Sequence, residues 1–245
     1  DIAKEYFERA IIIKERVGAY FSEVMTLDEL ISLSLYKSDL KEAERYLKEM
    51  KRISDQENNK FLNLCYRVNI AKLLKLSSLI SNREKAEKIL KESLEDKVAN
   101  SEAKIIILLN LSDLLLVKLG KTNDLKVLDE IQVYIAQVHN IVKNQKSYSF
   151  LAETYLLRAK LELLTLNLKQ SQRFLDKAQD ITETYGLELL LRRILMEQYN
   201  LVNQTKNWET LKRTKANIVE LINLAQIEEQ LSRMLRKRFL LKNAV

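Results

Sequence analysis

Catalytic or metal chemistry in this chain of 245 residues would have to come from one cysteine, Cys65, one histidine, His139, and its carboxylates. A nucleophilic triad needs an imidazole-like base beside Ser or Cys. His139 lies in the string VHNIVKN, late in a helical pattern, where a surface or capping role is expected. Structural zinc needs a cluster of Cys and His, which two such residues cannot supply. Phosphate-cradling loops need clustered glycines, and Gly18, Gly120 and Gly186 stand alone. A carboxylate di-metal site needs Glu-x-x-His, but residue 136, three before His139, is alanine. Carboxylate pairs can do acid–base work without a motif. Glu42 with Glu44 and Glu228 with Glu229 are close in a sequence that is 31% charged, so solvent exposure is their expected state. These residues point to a protein that is not an enzyme and uses no cofactor and no metal.

The elements that carry these residues follow from what is scarce. The chain has no proline and three glycines, where average usage gives roughly 12 and 17. Sandwiches, barrels and glycine-looped nucleotide folds need many proline-set or left-handed corners, so the expected class is all-α. Hydrophobic residues make up 47%, enough for a substantial core at this length. A single cysteine forms no internal disulfide, which favours a reducing compartment, with the cytoplasm as the expected location. Apolar runs such as Ile105–Leu109 are far below the ~20 residues of a membrane span, and the opening residues lack a signal-peptide pattern. The start at Asp1 rather than Met suggests a region of a longer protein. A net charge of +7 and a pI near 9.2 admit anionic partners. The balance shifts from 8 basic and 11 acidic residues in 1–50 to 9 and 4 in 201–245. Alternating signs elsewhere read as solvated helix faces.

One short pattern recurs. A polar capping residue is followed four positions later by a small or apolar residue, then by further residues at plus eight and plus eleven. The instances begin at Asp39 (Ala43, Leu47, Met50), Asn82 (Ala86, Leu90, Ser93), Asn123 (Val127, Ile131, Tyr134), Asn167 (Ser171, Leu175, Ala178) and Asn207 (Leu211, Lys215, Ile218). In the fifth unit an alternative frame, Thr214/Ile218/Leu221, fits as well. Asp and Asn suit a helix start because the side-chain oxygen accepts from unpaired first-turn amides. Between these starts lie broadly apolar helical runs at Tyr20–Tyr36, Phe61–Leu79, Glu102–Leu119, Tyr148–Leu166 and Leu187–Val202. Gly120 and Gly186 fall where a left-handed residue closes a helix. The spacing therefore predicts about five antiparallel helix pairs, with an extra leading helix carrying Ala3, Phe7 and Ala10 and a trailing helix at Ile227–Leu241.

Helix pairs repeating every 40 to 44 residues are the mark of a helical solenoid, in which stacking builds one continuous core. The alternative for the same periodicity is an irregular helical bundle. The small-x₃-large-x₂-small spacing, best seen in AKLELLTLNLKQSQRFLDKAQDITETYG from Ala159 to Gly186, resembles the tetratricopeptide repeat of many prokaryotic proteins. The long repeats resemble those of kinesin light chains and maltose-activator-type regulators, while the usual first-helix glycine and closing proline are absent. The resemblance implies a single domain over 1–245, an α-α superhelix, in which first helices line a groove that holds a peptide or protein partner.

Aligned on the following cap, the first helices place Thr26, Asn69, Asn110, Thr154 and Ile194 thirteen residues before it. Ten before come Glu29, Lys72, Asp113, Leu157 and Glu197. The columns at minus twelve (Leu27, Ile70, Leu111, Tyr155, Leu195) and minus six (Leu33, Leu76, Val117, Leu161, Leu201) are apolar and predict the core. Thr26, Glu29, Asn69, Lys72, Asn110, Asp113, Thr154 and Glu197 form a polar stripe, either a ladder for a partner's backbone or plain wet surface. Trp208, beside a cap, is expected to pack at a helix start. Arg233, Arg236, Lys237 and Arg238 interleave with apolar residues near the C-terminus, as in a terminal capping helix. The same cluster is a candidate anion site for nucleic acid, the less expected partner, or for a membrane surface. A third reading is a regulatory or oligomerisation segment of a larger signalling protein, self-associating through exposed solenoid ends.

Overall fold

The computed structural model describes residues 2–16, 18–203, 208, 210–211 and 217–236. All regular structure among them is helical. The helices are α1 (Ile2–Arg16), α2 (Tyr20–Tyr36), α3 (Leu40–Glu57), α4 (Lys60–Lys75), α5 (Ile80–Leu94), α6 (Ser101–Thr122), α7 (Leu125–Asn144), α8 (Tyr148–Leu164), α9 (Leu168–Thr184), α10 (Glu188–Asn203), α11 (Ile218–Leu224) and α12 (Ile227–Arg236). The chain forms two compact units, residues 1–100 and 101–245. In the first, each of α1 to α4 packs on its successor, and the first helices α2 and α4 also touch. In the second, α6 to α10 stack in the same consecutive way. Turns of a few residues between helices that pack along their length impose an antiparallel order.

The repeating pattern does the predicted work in the second helices. Ala43, Met50, Ala86, Leu90, Ser93, Val127, Ile131, Tyr134, Ser171, Leu175 and Ala178 are all buried, and Leu47 is half-buried. Small residues at plus four let the neighbouring helix approach, and the larger ones fill the space beyond. In the first unit Val24, Leu27, Leu30 and Ile31 of α2 meet Tyr46, Met50 and Ile53 of α3 and Leu62 of α4 in one cluster.

Two of the expected caps hold: Asp39 accepts from the Glu42 amide and Asn167 from the Gln170 amide. Asn82 instead lies inside α5, where its amide reaches Ser77 Oγ at 2.9 Å. Asp124, one residue after Asn123, caps α7. Asn207, Thr214 and Lys215 lie outside the described residues, and a new helix start at Asn217 interrupts the fifth unit. Gly186 closes its helix at φ 62° as expected, but Gly120 sits within α6 and the left-handed turn follows at Asn123, φ 55°. Scarce glycine does not remove left-handed corners. Ser38, Asn58, Asn123, Lys146, Leu166 and Gln226 occupy them instead, at a cost of about 1–2 kcal/mol each for an ordinary residue.

The second unit departs from simple stacking. Among the described residues α6 and α8 do not pack on one another, and α11 and α12 fold back against both. Helix α8 is consequently buried nearly all round, at Phe150, Leu151, Ala152, Glu153, Thr154, Leu156, Leu157, Ala159, Lys160, Leu161, Leu163 and Leu164. His139 of α7 is buried against Tyr155, ring centroids 4.8 Å apart. It is a packed residue rather than the surface or capping one expected. No helix among the described residues is long and apolar enough to cross a membrane.

Two predictions follow from these positions. Lys146 is exposed and left-handed (φ 55°), so Lys146→Gly should raise the unfolding free energy by up to about 1 kcal/mol and Lys146→Val should lower it, both read by urea denaturation. Burial, then Arg158, Lys143 and Lys177, hold the His139 pKa below its ordinary value. The unfolded chain therefore binds the extra proton first as pH falls through about 6.5. Stability should drop from pH 7.5 to pH 5.5, and His139→Gln, which removes the only histidine, should flatten that drop. An equal slope in both proteins would contradict this.

Candidate functional site

The stripe at minus thirteen is not a wet ladder. Thr26, Asn69, Asn110 and Thr154 are all buried, the first two in one unit and the last two in the other. Each bonds the carbonyl four residues earlier on its own helix: Thr26 to Ser22 at 3.0 Å, Asn69 to Cys65 at 2.9 Å, Asn110 to Ile106 at 2.8 Å and Thr154 to Phe150 at 2.8 Å. This local back-bond gives each buried donor an acceptor on its own helix, and Thr26 Oγ1 also accepts from Lys14 Nζ at 2.5 Å. The inward face therefore includes minus thirteen; at minus twelve Leu27 and Leu111 are buried as expected, Ile70 and Tyr155 are half-buried, and Leu195 is 43% exposed. At minus six Leu161 and Leu201 are buried as expected, whereas Leu76 is 49% exposed.

The column at minus ten behaves differently. Lys72 is buried, donating to Asp28 Oδ1 at 2.8 Å and to Asn69 Oδ1 at 3.1 Å, which ties α4 to α2. Glu29, Asp113 and Glu197 are half-buried, and Leu157 is fully buried.

Glu197 opens a place where two predicted residues meet, the other being Arg233. A cleft in the second unit is lined by Lys160 of α8, by Arg193, Glu197 and Asn200 of α10, and by Glu229 and Arg233 of α12. Lys160, 5% exposed, donates to Glu197 Oε1 at 2.7 Å and to the Ala225 carbonyl at 2.9 Å. Burial lowers its pKa, and Glu197 opposes that shift. Beside it, Glu153 of α8 is fully buried. Its carboxylate accepts from Arg193 Nη1 at 3.0 Å and from the Gln230 amide of α12. The Gln230 amide also reaches the Glu153 carbonyl at 3.3 Å, and Arg193 Nη2 donates to Gln230 Oε1 at 2.8 Å. A buried carboxylate needs such paired donors, because its ionised form loses hydration.

The basic C-terminal candidates divide. Arg233 pairs with Glu229, holding that carboxyl below the usual range, and Arg236 donates to the Ser232 carbonyl at 3.1 Å. Lys237 and Arg238 lie outside the described residues. Trp208 is buried as expected and lines a neighbouring cavity with Lys160, Leu163, Leu201 and Ala225. No group of three or more His, Cys, Asp or Glu among the described residues is placed to hold a metal ion.

Sequence reasoning passed over Glu153, Lys160, Arg193 and Gln230. A partial signal existed for two of them: Glu153 and Lys160 are charges set within the largely apolar string LAETYLLRAKLELL, which also carries Arg158 and Glu162.

Because Asn69 and Asn110 are buried and bonded, replacing either by Ala should lower the unfolding free energy by roughly 1–3 kcal/mol. Unchanged thermal stability would return them to the solvated surface. A scan against protein-family models finds no match, and a search of curated proteins finds none either.

Proposed function

We propose that the chain is a non-enzymatic interaction scaffold of tetratricopeptide-like character, holding a peptide or protein partner on the face formed by first helices of its pairs. The observation that carries this reading is the use already made of that face in the second unit. There α6 and α8, both first helices, receive an additional helix, α12, through buried apolar contacts and a polar clamp. A face that admits a helix of its own chain has the width and lining to admit one from elsewhere. The half-buried charges Asp113 and Glu197 give it electrostatic character with which to select a partner.

Site-specific photo-crosslinking in native extract tests the reading. Benzoylphenylalanine at Asn63 of α4 or Met196 of α10, both exposed on first helices, should form a discrete adduct identifiable by mass spectrometry. The same group at Lys88 of α5 or Lys177 of α9, exposed on second helices, should form none. Adducts confined to the second helices, or none anywhere, would overturn it.

A further inference from the structure

Helix α12 shows what the α6–α8 face selects. Its buried residues are Ile227, Gln230, Leu231 and Met234, three of them fully inaccessible. The apolar ones fall at i, i+4 and i+7, one stripe of a helix. Glu228, Glu229, Ser232 and Arg236 point to solvent. The first helices α6 and α8 do not touch one another among the described residues, and α12 packs against both.

The residue at i+3 is the discriminating one. Gln230 donates to a buried carboxylate, Glu153, and accepts from a guanidinium, Arg193, at the same time. Of the unbranched side chains long enough to reach, a carboxamide does both in one planar group. A carboxylate there would face Glu153 as a like charge, and an ammonium would face Arg193. An aliphatic side chain would leave the Glu153 carboxylate one donor short inside the protein. The clamp reads one chemistry at one register position.

We propose that the α6–α8 face is a recognition site for an amphipathic helix with apolar residues at i, i+4 and i+7 and a glutamine at i+3, and that α12 occupies it as an internal ligand which a partner of this pattern displaces. This rests on the interaction-scaffold reading and makes it specific. The tether places α12 at an effective concentration on the order of millimolar. A partner helix must therefore bind more tightly than α12 does in isolation, and the scaffold is held closed in its absence. Lys160 adds a latch at the other end of the contact by holding the Ala225 carbonyl just before α12.

The test uses the full chain and a fluorescent peptide with the sequence of residues 225–236, followed by anisotropy. Against Leu231→Asp/Met234→Asp protein, whose own α12 has lost its anchors, the peptide should bind at least about tenfold more tightly than to the unaltered protein. Replacing the peptide's glutamine by Glu or by Lys should each weaken binding about tenfold or more. Equal binding to both proteins, no binding to either, or indifference to the glutamine would overturn the proposal. Should the double variant fail to fold, hydrogen exchange on the unaltered chain decides instead. The α12 amides should exchange at least about tenfold faster than those of α8, and a shared rate would show α12 to be a fixed part of the core. Peptide binding without any crosslinked partner would leave the recognition site standing while removing the scaffold reading. The reverse result would remove the α12 proposal alone.

Discussion

A helix buried nearly all round must be covered nearly all round, and in the second unit that helix is α8. Two charges lie within its buried surface, Glu153 and Lys160. Ordinary stacking supplies α7 and α9 as neighbours, and α10 closes part of what remains. The rest falls to α11 and α12, which bring the Gln230 amide and the Ala225 carbonyl to those charges. An ionised group taken from water costs several kcal/mol unless its partners are in place. The position of the C-terminal helices is therefore a requirement of α8, and the cleft containing Glu197 and Arg233 is its geometric by-product.

The helix pairing was legible because it rests on local rules. Ala86 with Leu90 and Ala178 with Leu175 mark a tight face, and Asp39 and Asn167 mark helix starts through hydrogen bonds to amides three residues on. The inward rotation of the first helices was not, since polarity at Thr26, Asn69, Asn110 and Thr154 suggested water. Each of these groups donates to its own helix's carbonyl, so polarity and burial coexist there. Left-handed corners were hidden for a similar reason: the sequence places Lys146 or Leu166 where glycine would be the obvious sign.

The polar clamp was beyond reach because its members come from distant parts of the chain. Gln230 and Glu153 are 77 residues apart, and Arg193 and Glu153 are 40 apart. In a chain with 41 basic and 34 acidic residues, no single charge stands out as buried. The visible hint was the apolar context of Glu153 and Lys160, which only a helix enclosed all round would need. The fold thus follows from short-range pattern, whereas the proposed recognition chemistry depends on long-range closure.

That closure is measured most directly by a double-mutant cycle between Arg193→Met and Gln230→Leu in the full chain, read from urea unfolding. The two side chains meet at 2.8 Å over a shared carboxylate, so their coupling should exceed about 1 kcal/mol, within the range seen for residues sharing a network. Additive losses, with coupling near zero, would contradict the account by showing that α12 does not rest on α8 through this clamp.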